Sequence, residues 1–327
     1  MKKILKILIV FVFVLVAAVA ALLGYVKNFK PNIPVEEVKI EYTPERIKRG
    51  EYLAHNVTQC IDCHSQRDWS RFSGPIVPGT EGKGGEVFDQ KLGFPGVYYA
   101  PNLTPYHLKD WTDGELVRAI ASGVSRDGRP LFPVMPHPNF GKMDREDIYS
   151  IIAYIRTLPS IANDTPASES DFPMNFIIHL IPSRAEFTSK PSPENKVEYG
   201  RYLANAAVCI ECHTPAERGQ IIEGKEYSGG RYLALPTGDA VVSSNITPDE
   251  ETGIGSWTEE QFIQRFKAFD RKLNPSDDRV KPGEINTIMP WAKYSQMTEE
   301  DLAAIYAYLK TVKPISNKVE QTFIKNR

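Results

Sequence analysis

The sequence predicts an all-α protein in which one membrane-spanning helix precedes two copies of a small helical domain. A run of apolar residues follows a basic N-terminus, the motif Cys-x-x-Cys-His occurs twice, and matched segments accompany each copy in the same order. Matched segments in matched order indicate an internal duplication. We place the anchor at residues 1–30, the two domains at 31–160 and 197–327, and a linker at 161–196.

The N-terminal segment has the length and charge pattern of a membrane anchor. Three lysines within the first six residues precede an uninterrupted apolar run from Ile7 to Val26. As a helix, this run rises about 30 Å, which is the thickness of a bilayer core. Positive charge before the run predicts a cytoplasmic N-terminus and a remainder outside the cytoplasm. The alternative is a cleaved signal peptide with Ala-Val-Ala at 18–20 as its processing site, although the apolar run continues past that point.

The repeated motif lies at Cys60–His64 and at Cys209–His213, and it uses all four cysteines of the chain. The pattern is typical of covalent haem c attachment. The two thiols add to haem vinyl groups, and the adjacent histidine binds the iron from one face. We therefore predict two covalently bound haem c groups. The predicted cofactor-binding residues are Cys60, Cys63, His64, Cys209, Cys212 and His213.

Two other interpretations of the cysteines are possible on spacing alone. Two Cys-x-x-Cys pairs are also found in structural zinc sites, but a zinc site does not require a histidine after both pairs. A thioredoxin-like dithiol occurs in a βαβ context, which is not found around either pair. Haem attachment explains the histidines as well as the cysteines.

The opposite face of each iron needs a second ligand, for which Met135 and Met289 are the candidates. Each methionine precedes a proline and the last helix of its copy. A thioether is a soft ligand, and histidine–methionine ligation raises the reduction potential relative to two histidines. The second matched pair, Met143 and Met297, is explained as a hydrophobic staple at a helix entrance. His137 is the alternative ligand in the first copy.

Helix signals repeat in the two copies. Thr43 and Pro44 begin a first helix that extends to about Asn56, and its counterpart precedes the second motif. Capping boxes at Thr112-x-x-Glu115 and Thr258-x-x-Gln261 begin a middle helix in each copy. The last helices carry apolar stripes at i, i+3, i+4 and i+7. These stripes are Ile148, Ile151, Ile152 and Ile155, and Leu302, Ile305, Tyr306 and Leu309. We expect them to cross the first helices at Gly50 and Gly200, where a missing side chain permits close approach.

Three further expectations concern the surroundings. The repeated Asn-x-Thr-Pro segments suggest that Asn102 and Asn245 form hydrogen bonds near the haem edge or its propionates, with Trp111 and Trp257 packing nearby. The linker holds one apolar stretch, Phe172–Pro182, which is too short to span a membrane and which we expect to pack in the groove between the domains. A net charge of −2 with mixed signs gives no indication of a nucleic-acid partner.

Three longer segments carry a resemblance to a known family. They are Ala100–Pro105, Arg126–Pro136 and Ser244–Trp257. Through them the chain resembles bacterial multi-haem cytochromes c, a group that includes the cytochrome subunits of membrane-bound alcohol, aldehyde and gluconate dehydrogenases. The resemblance implies two class I cytochrome c domains, the iron ligand pairs His64/Met135 and His213/Met289, and electron transfer to a quinone or a terminal oxidase. Those subunits carry three haems, whereas this chain has two motifs.

The predicted function is that of a di-haem electron carrier held at the bacterial inner membrane, with its haem domains in the periplasm. Its expected partners are a dehydrogenase or a quinol-oxidising complex as donor and a respiratory acceptor. No catalytic acid or base is predicted. One alternative is a di-haem peroxidase, which requires an iron with an open sixth position. Another is an integral cytochrome subunit of a terminal oxidase or other respiratory complex.

Overall fold

The computed structural model of the chain describes residues 2–270, 278–281, 284–320 and 323–324. Its α-helices are α1 (Lys2–Lys27), α2 (Pro44–Tyr52), α3 (Cys60–Cys63), α4 (Pro105–Leu108), α5 (Asp113–Ser122), α6 (His137–Phe140), α7 (Arg145–Ile155), α8 (Met174–Ile177), α9 (Lys196–Ala206), α10 (Cys209–His213), α11 (Glu259–Lys267), α12 (Trp291–Tyr294) and α13 (Glu299–Leu309). Its strands are β1 (Val87–Phe88), β2 (Gly96–Tyr99), β3 (Glu169–Ser170), β4 (Ala216–Glu217), β5 (Gln220–Ile221), β6 (Tyr232–Ala234), β7 (Ala240–Val242) and β8 (Phe323–Ile324).

The helix α1 contains the predicted apolar run, and its apolar side chains are exposed. Residues Lys3–Lys27 are long and apolar enough to cross a membrane once. The helix leads into residues 28–42, which are fastened to the following part of the chain. Tyr42 donates a 2.8 Å hydrogen bond to Asp113, whose second carboxylate oxygen accepts one from the Ile40 amide at 3.0 Å.

The first and last helices cross closely at a glycine in both halves of the chain, which we define as residues 31–160 and 197–327. A Cβ atom on Gly50 would lie 1.8 Å from the carbonyl oxygen of Ser150. A Cβ atom on Gly200 would lie 1.8 Å from the carbonyl oxygen of Ala304. The predicted crossings are therefore confirmed, and no larger side chain fits at either one without moving the backbone.

The predicted apolar stripes form the core around these crossings. All four isoleucines of α7 are buried, as are Leu302, Ile305 and Leu309 of α13. Tyr306 is half-buried, and its hydroxyl donates to the carbonyl oxygen of Trp257 at 2.5 Å. Both capping boxes are present. The hydroxyls of Thr112 and Thr258 accept hydrogen bonds from the amides of Glu115 and Gln261. The side chains of Glu115 and Gln261 accept hydrogen bonds from the threonine amides in return.

Two predictions about regular structure were incomplete. The first helix stops being α-helical at Tyr52 and continues as a π-helix over Leu53–Val57. The chain is also not all-α, since antiparallel strands of two to four residues pair in the orders β1-β2-β3, β4-β5 and β6-β7-β8. Strands this short give no alternating hydrophobic pattern, so the sequence carried no signal for them. They brace the loops that follow each Cys-x-x-Cys-His motif.

The two halves exchange equivalent contacts across their interface. Tyr202 of α9 donates to Asp147 of α7 at 2.7 Å, and Tyr52 of α2 donates to Asp301 of α13 at 2.5 Å. Each tyrosine oxygen also accepts the backbone amide of the residue that caps the partner helix, at 3.2 Å. Arg49 adds a bidentate bond to Asp147 at 3.0 and 2.8 Å, and these bonds lower the pKa of that buried carboxyl against the effect of its burial.

The apolar stretch Phe172–Pro182 does not lie in a groove between the halves. It forms α8 and a 3₁₀ turn at Ile178–Leu180, and α8 contacts α1. The expectation was wrong because the segment packs beside α1 with Phe172, Ile177 and Leu180 exposed.

Candidate functional site

Each Cys-x-x-Cys-His motif begins a new helical turn after a residue in the left-handed region. Gln59 has φ 59° immediately before α3, and Val208 has φ 49° immediately before α10. Such values are uncommon for residues other than glycine. The same kink at the same place separates each motif from the helix before it and directs the motif away from that helix.

The two motif histidines are held by the same hydrogen bond. Nδ1 of His64 lies 2.8 Å from the carbonyl oxygen of Pro101, and Nδ1 of His213 lies 2.8 Å from the carbonyl oxygen of Ser244. A carbonyl oxygen only accepts, so each Nδ1 carries the proton and each Nε2 has a free lone pair. Burial lowers the pKa of both rings, although the carbonyls oppose this effect. Neutral, oriented imidazoles of this kind are suited to binding iron.

The four motif cysteines are half-buried and unpaired. Burial raises the pKa of Cys60 to about 11 and the pKa values of Cys63 and Cys209 to about 12, and it also raises that of Cys212. The thiols are therefore protonated at neutral pH. Among the described residues, no three His, Cys, Asp or Glu side chains converge on a position that could hold a metal ion. This geometry gives the zinc interpretation no ligand set.

The two candidate methionines occupy corresponding turns. The amide of His137 donates to the carbonyl oxygen of Met135 at 2.7 Å, and that of Trp291 donates to Met289 at 2.8 Å. The intervening prolines have φ −76°, ψ 55° and φ −81°, ψ 61°, the values of an inverse γ-turn. Both methionines are half-buried and pack against the hydrophobic core. This placement fits side chains that line a crevice, and their role as iron ligands stays a prediction.

The Met135 loop, residues 126–136, is supported by its own half. The amide of Leu131 donates to the carbonyl oxygen of Gly123 at 2.8 Å. Phe132 stacks on Tyr98 of β2 with ring centroids 4.2 Å apart. Every one of these partners precedes Met135 within residues 31–160.

The Met289 loop, residues 278–281 and 284–290 as described, is supported by the first half. Ser73 donates from its hydroxyl to the carbonyl oxygen of Met289 at 2.5 Å, and its amide donates to Asn286 at 2.9 Å. The Asn286 side chain in turn donates to the carbonyl oxygen of Trp69 at 3.0 Å. We call this set the Ser73–Asn286 bridge. Sequence reasoning missed it, because neither residue belongs to a repeated motif.

The asparagines of the Asn-x-Thr-Pro segments have a different role from the expected one. Asn102 donates to the carbonyl oxygens of Ile161 and Asn163 at 2.8 and 3.1 Å, and it accepts from the amide and hydroxyl of Thr104. Asn245 uses its donors and acceptors in the corresponding way. These bonds use all four positions of each amide and leave none free for a haem propionate. The asparagines instead fasten the segment that follows the last helix.

The histidines outside the motifs have structural surroundings. His137 is fully buried, and its ring atoms lie 2.5 Å from where a Cβ atom of Gly123 would be. At the corresponding position, Trp291 stacks on Phe269. His179 contacts the carbonyl oxygen of Phe29 through Nδ1 at 2.6 Å. His137 is thus buried next to the Met135 turn, and neither of its ring nitrogens has a hydrogen-bond partner among the described residues.

Beside each motif, a polar contact joins the two halves. The contact beside the first motif is charged, and the one beside the second motif is neutral. Lys293 of α12 lies 3.5 Å from Nδ1 of His55 and 3.5 Å from the buried carboxylate of Asp62. The corresponding contact pairs the side-chain amides of Asn139 and Asn205 at 3.3 Å. The surroundings of the two motifs therefore differ in charge although their histidines are held alike.

Tyr294 connects the surroundings of the two motifs. Its ring is buried, and its hydroxyl donates to the carbonyl oxygen of Ala207 at 2.8 Å. Burial raises the pKa of Tyr294 far above its ordinary value, and the thiols of Cys209, Cys212 and Cys63 raise it further.

Comparisons with known proteins agree with this geometry. Residues 197–313 match the cytochrome c family. The chain is 25% identical, over 82% of its length, to the cytochrome c subunit of an alcohol dehydrogenase (quinone) of Gluconacetobacter polyoxogenes. It is 25% identical, over 81% of its length, to the gluconate 2-dehydrogenase cytochrome c subunit of Pantoea cypripedii. It is 26% identical, over 78% of its length, to a dihaem cytochrome c-type protein of Cereibacter sphaeroides.

The extent of these similarities differs between relatives. The chain spans 56% of the alcohol dehydrogenase subunit and 59% of the gluconate dehydrogenase subunit, but 82% of the dihaem protein. The predicted resemblance to cytochrome subunits of membrane-bound dehydrogenases is confirmed. A cytochrome c domain is present in the second half, at residues 197–313.

Proposed function

We propose that this chain is a membrane-anchored electron carrier with two covalently bound haem c groups, which accepts electrons from a dehydrogenase or a quinol-oxidising complex and passes them to a respiratory acceptor. The observation that carries the proposal is the matched 2.8 Å bond between each motif histidine and a carbonyl oxygen. It prepares two equivalent iron-binding nitrogens in one chain. Redox relatives of the dehydrogenase type make a dehydrogenase the favoured partner.

The proposed organisation is an anchor at residues 1–30 and two tandem class I cytochrome c domains at 31–160 and 197–327. Support comes from the reciprocal tyrosine–aspartate contacts, the two glycine crossings and the identical turns after Met135 and Met289. The lysines before α1 predict that the anchor crosses the inner membrane with both haem domains on the periplasmic side.

When bound, each haem supplies reversible one-electron exchange at its iron. Cys60 and Cys63 would attach the first group and Cys209 and Cys212 the second. His64 and His213 would hold the iron through Nε2, because their Nδ1 protons are engaged by carbonyl oxygens. Met135 and Met289 would close the opposite faces, which discourages binding of oxygen or substrate. No described side chain is required to move a proton.

Covalent loading tests the proposal directly. The full chain is purified from a host that attaches haem c, and its mass is measured together with a stain for covalent haem. We expect two added haem groups in the parent chain and one each in the Cys60→Ala/Cys63→Ala and Cys209→Ala/Cys212→Ala variants. A parent chain with no added haem would contradict the proposal, and a high-spin haem with peroxide turnover would favour the peroxidase.

A further inference from the structure

The segment Phe172–Pro182 is apolar except for Asn175 and His179, yet none of its residues is fully buried. Phe172, Ile177 and Leu180 expose 76%, 43% and 66% of their surface. Scattered exposed apolar residues are ordinary on protein surfaces, but a contiguous group of large ones marks an interaction site. The chain therefore holds a partner surface here that neither haem domain covers.

This segment is held in place at both ends. On its N-terminal side, β3 pairs with β2 and the amide of Asp171 donates to the carbonyl oxygen of Pro95 at 2.9 Å. On its C-terminal side, the amide of Ala185 donates to Ser122 at 3.2 Å and that of Thr188 donates to the carbonyl oxygen of Met143 at 3.1 Å. The exposed side chains are thus presented by a fixed turn and not by a loose linker.

The same segment lies beside the C-terminal end of α1. α8 contacts α1, and Nδ1 of His179 donates to the carbonyl oxygen of Phe29 at 2.6 Å. One residue further on, Lys30 donates to the carbonyl oxygen of Asp127 at 2.9 Å, which fastens the helix exit to the first half. If α1 spans the bilayer, its exit and the segment share the level of the membrane surface.

We propose that Phe172–Pro182 is a second membrane contact, which inserts Phe172, Ile177 and Leu180 into the interfacial region of the lipid leaflet next to the exit of α1. The inference rests on the proposed role of α1 as an anchor. An eleven-residue apolar turn is too short to span a bilayer, but it suits the boundary between headgroups and acyl chains.

Charge near the segment favours a lipid partner. Lys27 and Lys30 at the helix exit and Arg184 after the segment are exposed. Basic side chains around an apolar face are attracted to anionic headgroups. A lipid surface is also continuous with the one already occupied by α1, whereas a protein partner would have to displace that lipid. Two attachments, one spanning and one interfacial, fix which side of the first half faces the membrane.

Lipid contact can be measured in the full holoprotein. A single added cysteine is labelled with bimane, the native cysteines being occupied by haem, in the variants Ile177→Cys, Ile222→Cys and Ala17→Cys. Each protein is reconstituted in phosphatidylglycerol/phosphatidylcholine vesicles with and without bromine on the upper acyl chain. Bromine quenches bimane only on contact, so the ratio of the emission in brominated vesicles to that in plain vesicles reports contact with lipid. Energy transfer to haem is the same in both samples and cancels in the ratio. Ile222 is the control, since it is 41% exposed and lies in the second half.

We expect the ratio to fall at least two-fold at position 177 and to stay near one at position 222. A label at 177 that behaves like the one at 222, while the label at 17 is quenched, would overturn the second contact and leave the anchor intact. A label at 17 that is not quenched would instead overturn the anchor. An unquenched label at 177, together with a crosslink from the unlabelled Ile177→Cys variant to another protein chain through a bifunctional thiol reagent in native membranes, would assign this surface to a protein and refute the lipid contact.

Discussion

The loops that carry Met135 and Met289 have the same turn but different support. Met135 is held by Gly123, Leu131 and the stacked pair Phe132–Tyr98, all from the first half. Met289 is held by the Ser73–Asn286 bridge, which comes from the loop after the first motif. Equivalent motifs therefore do not imply equivalent stability of the two predicted ligands. The position of Met289 depends on residues more than 200 positions earlier in the chain.

The largest effect should come from removing the predicted ligands themselves. Met135→Ala and Met289→Ala should each convert one of the two haems to a high-spin form of lower potential, because a thioether is lost from the iron. The absorption band of the thioether–iron bond, at the red end of the spectrum, should fall by about half in each variant. An unchanged band in either variant would refute that ligand, and His137 would become the candidate in the first domain.

A smaller effect should separate the two loops. Asn286→Ala removes a buried side chain that bonds Ser73 and Trp69, so the Met289 ligand should weaken by about 2 kcal/mol, or roughly 30-fold. The measurement uses a Met135→Ala background, in which the remaining red-end band reports Met289 alone.

The control for this experiment is Ser70→Ala in the same loop. The Ser70 hydroxyl donates to Asp68 at 2.6 Å within its own turn, so its loss should leave the band unchanged. Asn286→Ala in the parent chain should weaken only the predicted Met289 ligand. If it weakened the predicted Met135 ligand equally, the claim that the two loops have different support would be refuted.

The smallest effect concerns the charged contact beside the first motif. Lys293 only donates, so Nδ1 of His55 accepts and its Nε2 donates to Tyr154 at 2.7 Å. Burial, with a smaller contribution from the charge of Lys293, lowers the pKa of His55 from 6.5 to about 4. Below pH 6.5 the unfolded chain binds a proton that the folded chain does not. Stability is therefore lost as the pH falls from 6.5 towards 4.

His55→Asn introduces the residue found at the corresponding position, Asn205, and removes this titration. Urea unfolding at pH 7 and pH 5 should show that the variant loses about 2 kcal/mol less than the parent between the two values. An equal loss in parent and variant would show that His55 does not stay neutral in the folded protein.

The sequence predicted most of what depends on short patterns. The helix caps at Thr112 and Thr258 and the crossings at Gly50 and Gly200 follow from local rules of capping and packing, and all were confirmed. The histidine–carbonyl bonds were not predicted, because their acceptors lie 37 and 31 residues away along the chain.

Long-range polar contacts were the main omission. The Ser73–Asn286 bridge joins two loops without periodicity, and nothing in either loop marks its partner. Asn102 was correctly singled out as a repeated residue, but its bonds to Ile161 and Asn163 give it a fastening role. A repeated residue indicates that the two copies share a structural or functional role, but only the contacts in the fold identify that role.

The reciprocal bonds of Tyr52 with Asp301 and Tyr202 with Asp147 are arranged as in a two-fold symmetric dimer, in which each subunit offers what it receives. Such an interface does not depend on the peptide that joins its halves. The two fragments of a chain cleaved within residues 189–194 should therefore stay together. When they are forced apart, the Met289 loop should lose its support before the Met135 loop does.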